Sequence, residues 1–369
     1  MSPVRGVPGG PGPAVIRRTP PDWAGRALAD VLERAAATRT ETGDRFPLYA
    51  DPDTGRWTTT GRGAWTGGFW AGLLWLRARH TGNAGDRAAA AACTARLAEW
   101  VEADTATRGL ILWYGTALAG ADTGARELRT RAARAALAAF DTELGLVPWG
   151  SAFGGPRLLA RVDGVPGMVG LLAAGGPEGA RAAASHLHRH LDLCLGGGGR
   201  VVPAWEFAAE AGWQAYEEPS AGWSRGSAWL LLAVADALHR TEVSRSASDR
   251  LEAVAERLAD VWTRPCTPLV PPADEARPAG PLDTSAAAIA AVALLKLARL
   301  PGCRAARYAY RAAAILERLV GEHLTRGMLL DGCYDAGKGV AVRHELVWGD
   351  FFLALGLAAL TGLVEIRDV

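Results

Sequence analysis

Apolar residues recur three and four positions apart through long Ala-, Leu- and Arg-rich segments, as at 88–101, 127–140 and 251–262. That spacing places them on one helical face and predicts amphipathic helices. Alternating β-branched runs closed by hairpin turns are nearly absent, so no substantial sheet is expected. The helical stretches break at Thr81-Gly82-Asn83, Thr123-Gly124, Gly175-Gly176-Pro177, near Thr241, at Pro301-Gly302 and at Thr361-Gly362. These breaks lie roughly 40–65 residues apart and define one repeating unit: helix, Gly turn, helix, longer loop. Roughly six such pairs fill the chain, and closing them into a ring buries every apolar face in one domain. An open solenoid is the alternative, although its repeats are usually shorter and more regular.

The longer loops, at 61–68, 149–164, 196–222 and 264–281, carry the unusual residues, and function tends to sit on such loops above a rigid scaffold. The 264–281 loop is Pro-rich and reads as an exposed excursion, whereas Gly196–Gly199 reads as a flexible turn. The chain holds 14 Trp, several of them beside Gly in loops. Trp65 and Trp70 stand in AWTGGFWAG, Trp149 in PWG, and Trp213 and Trp223 in GWQAYEEPSAGW. Flat aromatic faces of this kind suit sugar rings or other small ligands, although core packing accounts for many a single Trp.

Composition narrows the class of partner. Net charge is +1 with both signs spread along the 369 residues, which points to neither nucleic acid nor an anionic membrane. Five scattered cysteines without a C-x-x-C pair argue against a disulfide framework or a zinc knuckle. Residues 1–20 are rich in Pro and Gly without an apolar core, so they read as a disordered leader rather than a signal peptide. No apolar run reaches the roughly 18 residues of a membrane span. A soluble cytoplasmic protein with a small-molecule or sugar ligand is expected, its oligomeric state left open.

Four segments in order resemble glycoside hydrolase family 88, the unsaturated glucuronyl hydrolases. They are AWTGGFWAGLLWLRARHTGN (64–83), GWSRGSAWLLLAVADAL (222–238), LDTSAAAIAAVALLKL (282–297) and VWGDFFLALGLAAL (347–360). The resemblance implies an all-α (α/α)6 barrel, a toroid of six hairpins, over 21–369, with a funnel-shaped pocket at one end. It also implies hydration of the C4=C5 double bond of an unsaturated uronic acid. There an Asp protonates the alkene and assists water, with no metal or organic cofactor.

Carried over by position, the acid/base Asp of the family falls on Asp163 in LLARVDGVPGMVGLL. A carboxyl at a Gly/Pro-rich helix entrance among apolar residues suits that work; an N-cap of the helix after Pro166 is the other reading. Arg225 and Trp229 match the Arg and Trp of an Arg-Gly-Gln-Ala-Trp motif, with Ser227 replacing the Gln. Arg225 either clamps a substrate carboxylate or holds a loop by a salt bridge. The family signature Asp-Thr-His-Asp-Leu-Gly-Phe reads here Asp104-Thr105-Ala106-Thr107-Arg108-Gly109-Leu110, so Ala106 and Thr107 replace its His and second Asp. A pocket His falls at Trp213 or Gln214, and an Asn at Gly167.

Substrate-binding residues are therefore expected at Trp65, Trp70, Thr107, Trp149, Trp213, Arg225, Ser227 and Trp229, with Asp163 catalytic and no metal ligands. Glu217 and Glu218 read as solvated loop charges or as a substitute carboxylate, and Asp283 and Asp350 as helix caps. His186 and His190, four apart, read as a surface-helix pair rather than a metal site. Ala106 and Thr107 make the pocket more apolar, which favours an alkene or enol ether less charged than a uronide, to be hydrated, isomerised or cyclised by Asp163 with Arg225 and the Trp residues holding it. A uronide hydrolase with a rearranged site and a non-catalytic carbohydrate-binding barrel are the alternatives.

Overall fold

The computed structural model describes residues 22–196 and 200–369; the leader expected at 1–20 and most of the turn expected at 196–199 lie outside them. In chain order the helices are α1 (Asp22–Thr42), α2 (Gly67–Thr81), α3 (Ala84–Arg96), α4 (Tyr114–Ala117), α5 (Thr123–Ala138), α6 (Met168–Ala173) and α7 (Gly176–Cys194). There follow α8 (Ser224–Leu238), the single turn α9 (Thr241–Ser244), α10 (Ser248–Thr263), α11 (Thr284–Leu297), α12 (Ala305–Arg318) and α13 (Val347–Leu360). A π-helical turn, Gly109–Trp113, runs directly into α4.

Two kinds of helix separate by their sequence. Helices α11 and α13 are apolar on all faces, and nearly every residue in them is buried. A helix without a polar face must be surrounded by protein. Helices α10 and α12 are amphipathic: α12 buries Tyr308, Ala312, Ile315 and Leu316 and turns Arg307 and Arg318 outward. The first kind forms an inner ring in which α2, α4 with its π-turn, α6, α8, α11 and α13 pack in sequence and α13 returns to α2. Helices α1, α3, α5, α7, α10 and α12 lie outside them. This is the (α/α)6 toroid; the first five breaks read from the sequence are its short inner-to-outer turns, and the sixth, Thr361-Gly362, ends α13.

Close approach within the ring depends on several glycines, among them Gly109 and Gly68. A Cβ on Gly109 would lie 2.1 Å from the backbone N of Met168, and one on Gly68 2.3 Å from the carbonyl O of Ile111. The Gly-Gly of AWTGGFWAG is therefore the start of a tightly packed helix, and Trp70 belongs to that helix and not to a loop. A plug of Phe69, Tyr114, Trp229, Phe351 and Phe352 fills the barrel centre, ring centroids 5.1–6.1 Å apart. Lys296 of α11 and Asp236 of α8 form a buried ion pair at 2.7 Å between adjacent inner helices.

The strands are short. β1 (Phe46–Ala50) pairs antiparallel with β2 (Trp57–Thr60). β3 (Leu159–Arg161) pairs with β4 (Ala204–Ala208), which pairs with β5 (Gly212–Ala215). β6 (Leu324–Thr325) pairs with β7 (Met328–Leu329), and β8 (Glu345–Leu346) joins β1. All lie in the long outer-to-inner connections, which gather at the end of the barrel where the inner helices begin.

Candidate active site

A cavity of about 560 Å³ opens at that end. Each of the six inner helices contributes through its N-terminal approach: Trp65 before α2, Thr107 before the π-turn, Asp163 before α6, Trp223 and Arg225 at α8, Asp274 and Arg277 before α11, and Tyr334 before α13. The segments that lead into the six inner helices thus enclose one space.

Asp163 lies in a single 3-10 turn, Val162–Gly164, directly after β3. It caps no helix: α6 begins at Met168 with Gly167 as its cap residue. Both carboxylate oxygens accept from Arg161, Oδ1 from Nε at 3.1 Å and Oδ2 from the terminal nitrogen at 3.0 Å. The Arg161 guanidinium rests on the face of Trp149, 4.2 Å from its ring centre. β3 supplies Arg161, the chain turns once, and Asp163 comes back against it; pairing with β4 fixes the strand that carries Arg161 and leads into the turn.

Behind Asp163 stands α7. His186 and His190 are fully buried there, with rings 4.4 Å apart, so the surface-helix reading is corrected. His186 Nδ1 accepts from the Val147 N–H at 3.1 Å, which leaves Nε2 as the donor to Gly164 O at 3.3 Å. Backbone groups thus fix its tautomer, and the bond to Gly164 holds the residue next to Asp163. Burial pushes both imidazoles down, His186 well below the ordinary value and further by the neighbouring His190, and His190 to about 4. Among the described residues no third His, Cys, Asp or Glu completes a metal-binding cluster with them.

Arg225 is buried and committed. It donates to Asp283 Oδ2, to Cys333 O, and to Tyr334 O at 2.8 Å, and it packs against Trp223 and Trp348 at 5.2 and 5.4 Å. Asp283 in turn caps α11 through the Ser285 and Ala286 amides. Of the two readings of Arg225, this geometry is that of the loop-holding salt bridge: it fastens the 333–334 segment beside the cavity. Cys333 is pushed up to about 12, mainly by burial.

The remaining expected residues divide. Trp65, Thr107, Trp149 and Trp229 line the cavity with Asp163 and Arg225. The Thr107 hydroxyl is spent on Thr105 Oγ1 at 2.9 Å. Trp70 lies in the core on α2, and Trp213 on β5 packs tilted against Phe207, ring centroids 5.3 Å apart, in a separate small cluster. Ser227 has a buried hydroxyl with no partner, and none of these three lines the cavity. Glu217 and Glu218 do line it, and Glu218 reaches Lys338 at 3.4 Å across the rim. Asp350, read as a cap, instead accepts from Leu329 N at 3.3 Å inside α13; burial and the neighbouring Glu345 push its carboxyl well up.

The 264–281 loop is a wall of the cavity and not only an excursion. Asp274 accepts from Ser220 at 3.0 Å and from Ala276 N at 2.9 Å, and Glu275 N donates to Gly222 O at 2.8 Å. Arg161, Tyr334, Arg277 and Lys338 were not foreseen. The spacing Arg-Val-Asp was the one available signal for Arg161, because residues two apart at a strand end share a face. Tyr334 donates nothing to sequence pattern, yet its hydroxyl accepts from Trp65 Nε1 at 3.3 Å.

No family model matches the chain. The unsaturated glucuronyl hydrolase of Bacillus sp. strain GL1 is 26% identical over 89% of this chain and 94% of its own length. The crystal structure of an enzyme of that name from the same strain, described as responsible for glycosaminoglycan degradation, superposes with a TM-score of 0.80 at 24% identity, covering 92% and 96% of the two chains. A variant unsaturated glucuronyl hydrolase from Streptococcus agalactiae, complexed with dGlcA-GalNAc6S, superposes with a TM-score of 0.70 at 16% identity, covering 93% and 92%. The protein is a glycoside-hydrolase-like (α/α)6 toroid. Its relatives in sequence and in fold are unsaturated glucuronyl hydrolases.

Proposed function

We propose that the protein hydrolyses saccharides ending in a 4,5-unsaturated uronic acid, with Asp163 as the group that gives a proton to the alkene and receives one from water. The observation that carries this is the placement of Asp163. It stands in a cavity walled by Trp65, Trp149 and Trp229, among the segments that lead into the inner helices, in a chain related over most of its length to an unsaturated glucuronyl hydrolase. The aromatic faces suit a sugar ring, and the Arg161 cation suits a carboxylate. Protonation at C4 and addition of water at C5 give a hemiketal, and its opening releases the next sugar. The proton lost by water returns to Asp163, so the carboxyl is regenerated. The test is loss of the ultraviolet absorbance of the conjugated acid when an unsaturated glucuronyl disaccharide is mixed with the protein.

A second reading has one observation in its favour. Ala106 is buried and the Thr107 hydroxyl is tied to Thr105, so this wall offers no second carboxylate. That favours an alkene or enol ether with fewer polar groups, protonated by the same Asp163. Turnover of such compounds by a protein inert on the disaccharides would select it.

A further inference from the structure

We propose that Arg161 is a positioning residue that changes partner during the reaction, releasing Asp163 as it takes the carboxylate of the ligand. This rests on the reading of the cavity as a site for unsaturated uronides. Its starting point is a conflict in the geometry. Asp163 has both oxygens occupied by one guanidinium, which is the bonding pattern of a carboxylate and not of a proton donor. A group in that clamp cannot protonate an alkene until the clamp opens.

The chemistry of the ligand supplies the competitor. In a 4,5-unsaturated uronic acid the carboxylate is attached to C5, one end of the double bond, and protonation occurs at the other end. The cation that binds the carboxylate must therefore sit within a few ångströms of the acid that protonates C4. Arg161 meets that requirement at 3.0 Å. The other cavity cations do not serve as well. Arg225 is committed to Asp283 and two carbonyls, Lys338 bridges Glu218 and Asp335 on the rim, and Arg277 is exposed on the outer wall. Trp149 gives Arg161 a surface on which to turn without losing its own contact, since a guanidinium stays favourably placed over an aromatic face as it rotates in plane.

The charge balance is simple. Before the exchange, one cation is matched by Asp163; afterwards it is matched by the ligand carboxylate, and Asp163 takes a proton from solvent. The other titratable groups around Asp163 leave this exchange undisturbed. On α7, His190 and Cys194 face it from behind and are both held neutral by burial. Across the cavity stand Glu217 and Glu218, and Lys338 lies beyond them on the rim.

The experiment compares an unsaturated glucuronyl disaccharide with its methyl ester, using wild type, Arg161→Met and Arg161→Gln. Taking the acid-to-ester ratio of kcat/KM in each protein cancels the intrinsic reactivity of the two alkenes. A charge-assisted bond of ordinary strength predicts that the ratio falls about 10- to 100-fold on removal of the cation. Because the carboxyl must carry a proton to act, the high-pH limb of kcat/KM is expected to move to higher pH in both variants. An unchanged ratio with superimposable pH profiles in whichever variant folds would overturn the exchange while leaving the hydrolase reading standing. A wild type inert on acid and ester alike retires the hydrolase reading, and the exchange with it.

Discussion

Arg161 and Asp163 form a two-bond clamp between residues two apart in sequence, with Trp149 stacked on the far side of the guanidinium. The strand β3 and the single turn after it make this possible: the chain reverses just enough for the aspartate to face back on the arginine. The clamp sets the orientation of the one carboxyl on which the proposed chemistry depends.

Trp149 should matter through Arg161. Trp149→Ala removes the stacking surface, a contact worth about 0.5–2 kcal/mol, so KM for a carboxylate ligand is expected to rise roughly 3- to 30-fold. Trp149→Phe, which keeps an aromatic face, should lose much less. Steady-state kinetics with both variants decides this, and equal losses would contradict it.

The buried histidines predict an acid-labile fold. The folded chain holds His190 down at about 4 against an ordinary 6.5, and His186 is lowered as well. Between those values the unfolded chain binds protons that the folded chain does not. Stability is therefore fully present above about pH 6.5 and declines as pH falls towards 4, by on the order of 3 kcal/mol from His190 alone. Thermal melts from pH 8 to 4.5 should show the slope, and His190→Gln should make it shallower whatever its melting temperature at pH 8.

Arg225 is expected to act on stability as much as on binding. Arg225→Met leaves Asp283 buried and unpaired and frees two carbonyls of the 333–334 segment, for a loss of about 3–5 kcal/mol. Arg225→Lys cannot reach three acceptors and should recover only part. Urea denaturation of the two variants measures this; a loss below 1 kcal/mol in Arg225→Met would contradict the anchoring role.

Two glycines should behave oppositely. Gly109→Ala drives a methyl group into the backbone of Met168 and is expected to cost more than about 2 kcal/mol, displacing Thr107 and the Asp163 turn with it. Gly25→Ala in α1 meets nothing within 4 Å and should stabilise by about 0.5–1 kcal/mol. Paired denaturation curves separate the two.

Much of the architecture was legible because it rests on local rules. The Gly breaks at 82, 176 and 302 each mark the end of an inner helix whose apolar composition demands complete burial, and the amphipathic stretches at 127–140 and 251–262 each lie largely in an outer helix. The site was legible only in part. Asp163, Trp65, Trp149 and Trp229 meet at one cavity, while Trp70 and Trp213, which look the same in sequence, are core and satellite packing. A tryptophan beside glycine does not reveal which way its ring turns. The partners of Arg225 lie 58 and more than 100 residues away in sequence, and no local pattern encodes them. His186 and His190 misled for a related reason: helical spacing fixes their common face but not what covers it.

The most direct measurement is the fall in ultraviolet absorbance of an unsaturated glucuronyl disaccharide with wild type and Asp163→Asn side by side, at matched folding by circular dichroism. Turnover by wild type and a loss of at least about 10³-fold in kcat for the variant are expected, with binding retained. Equal turnover by the two proteins would contradict the role of Asp163, and no turnover by wild type at high protein concentration would contradict the uronide reading itself.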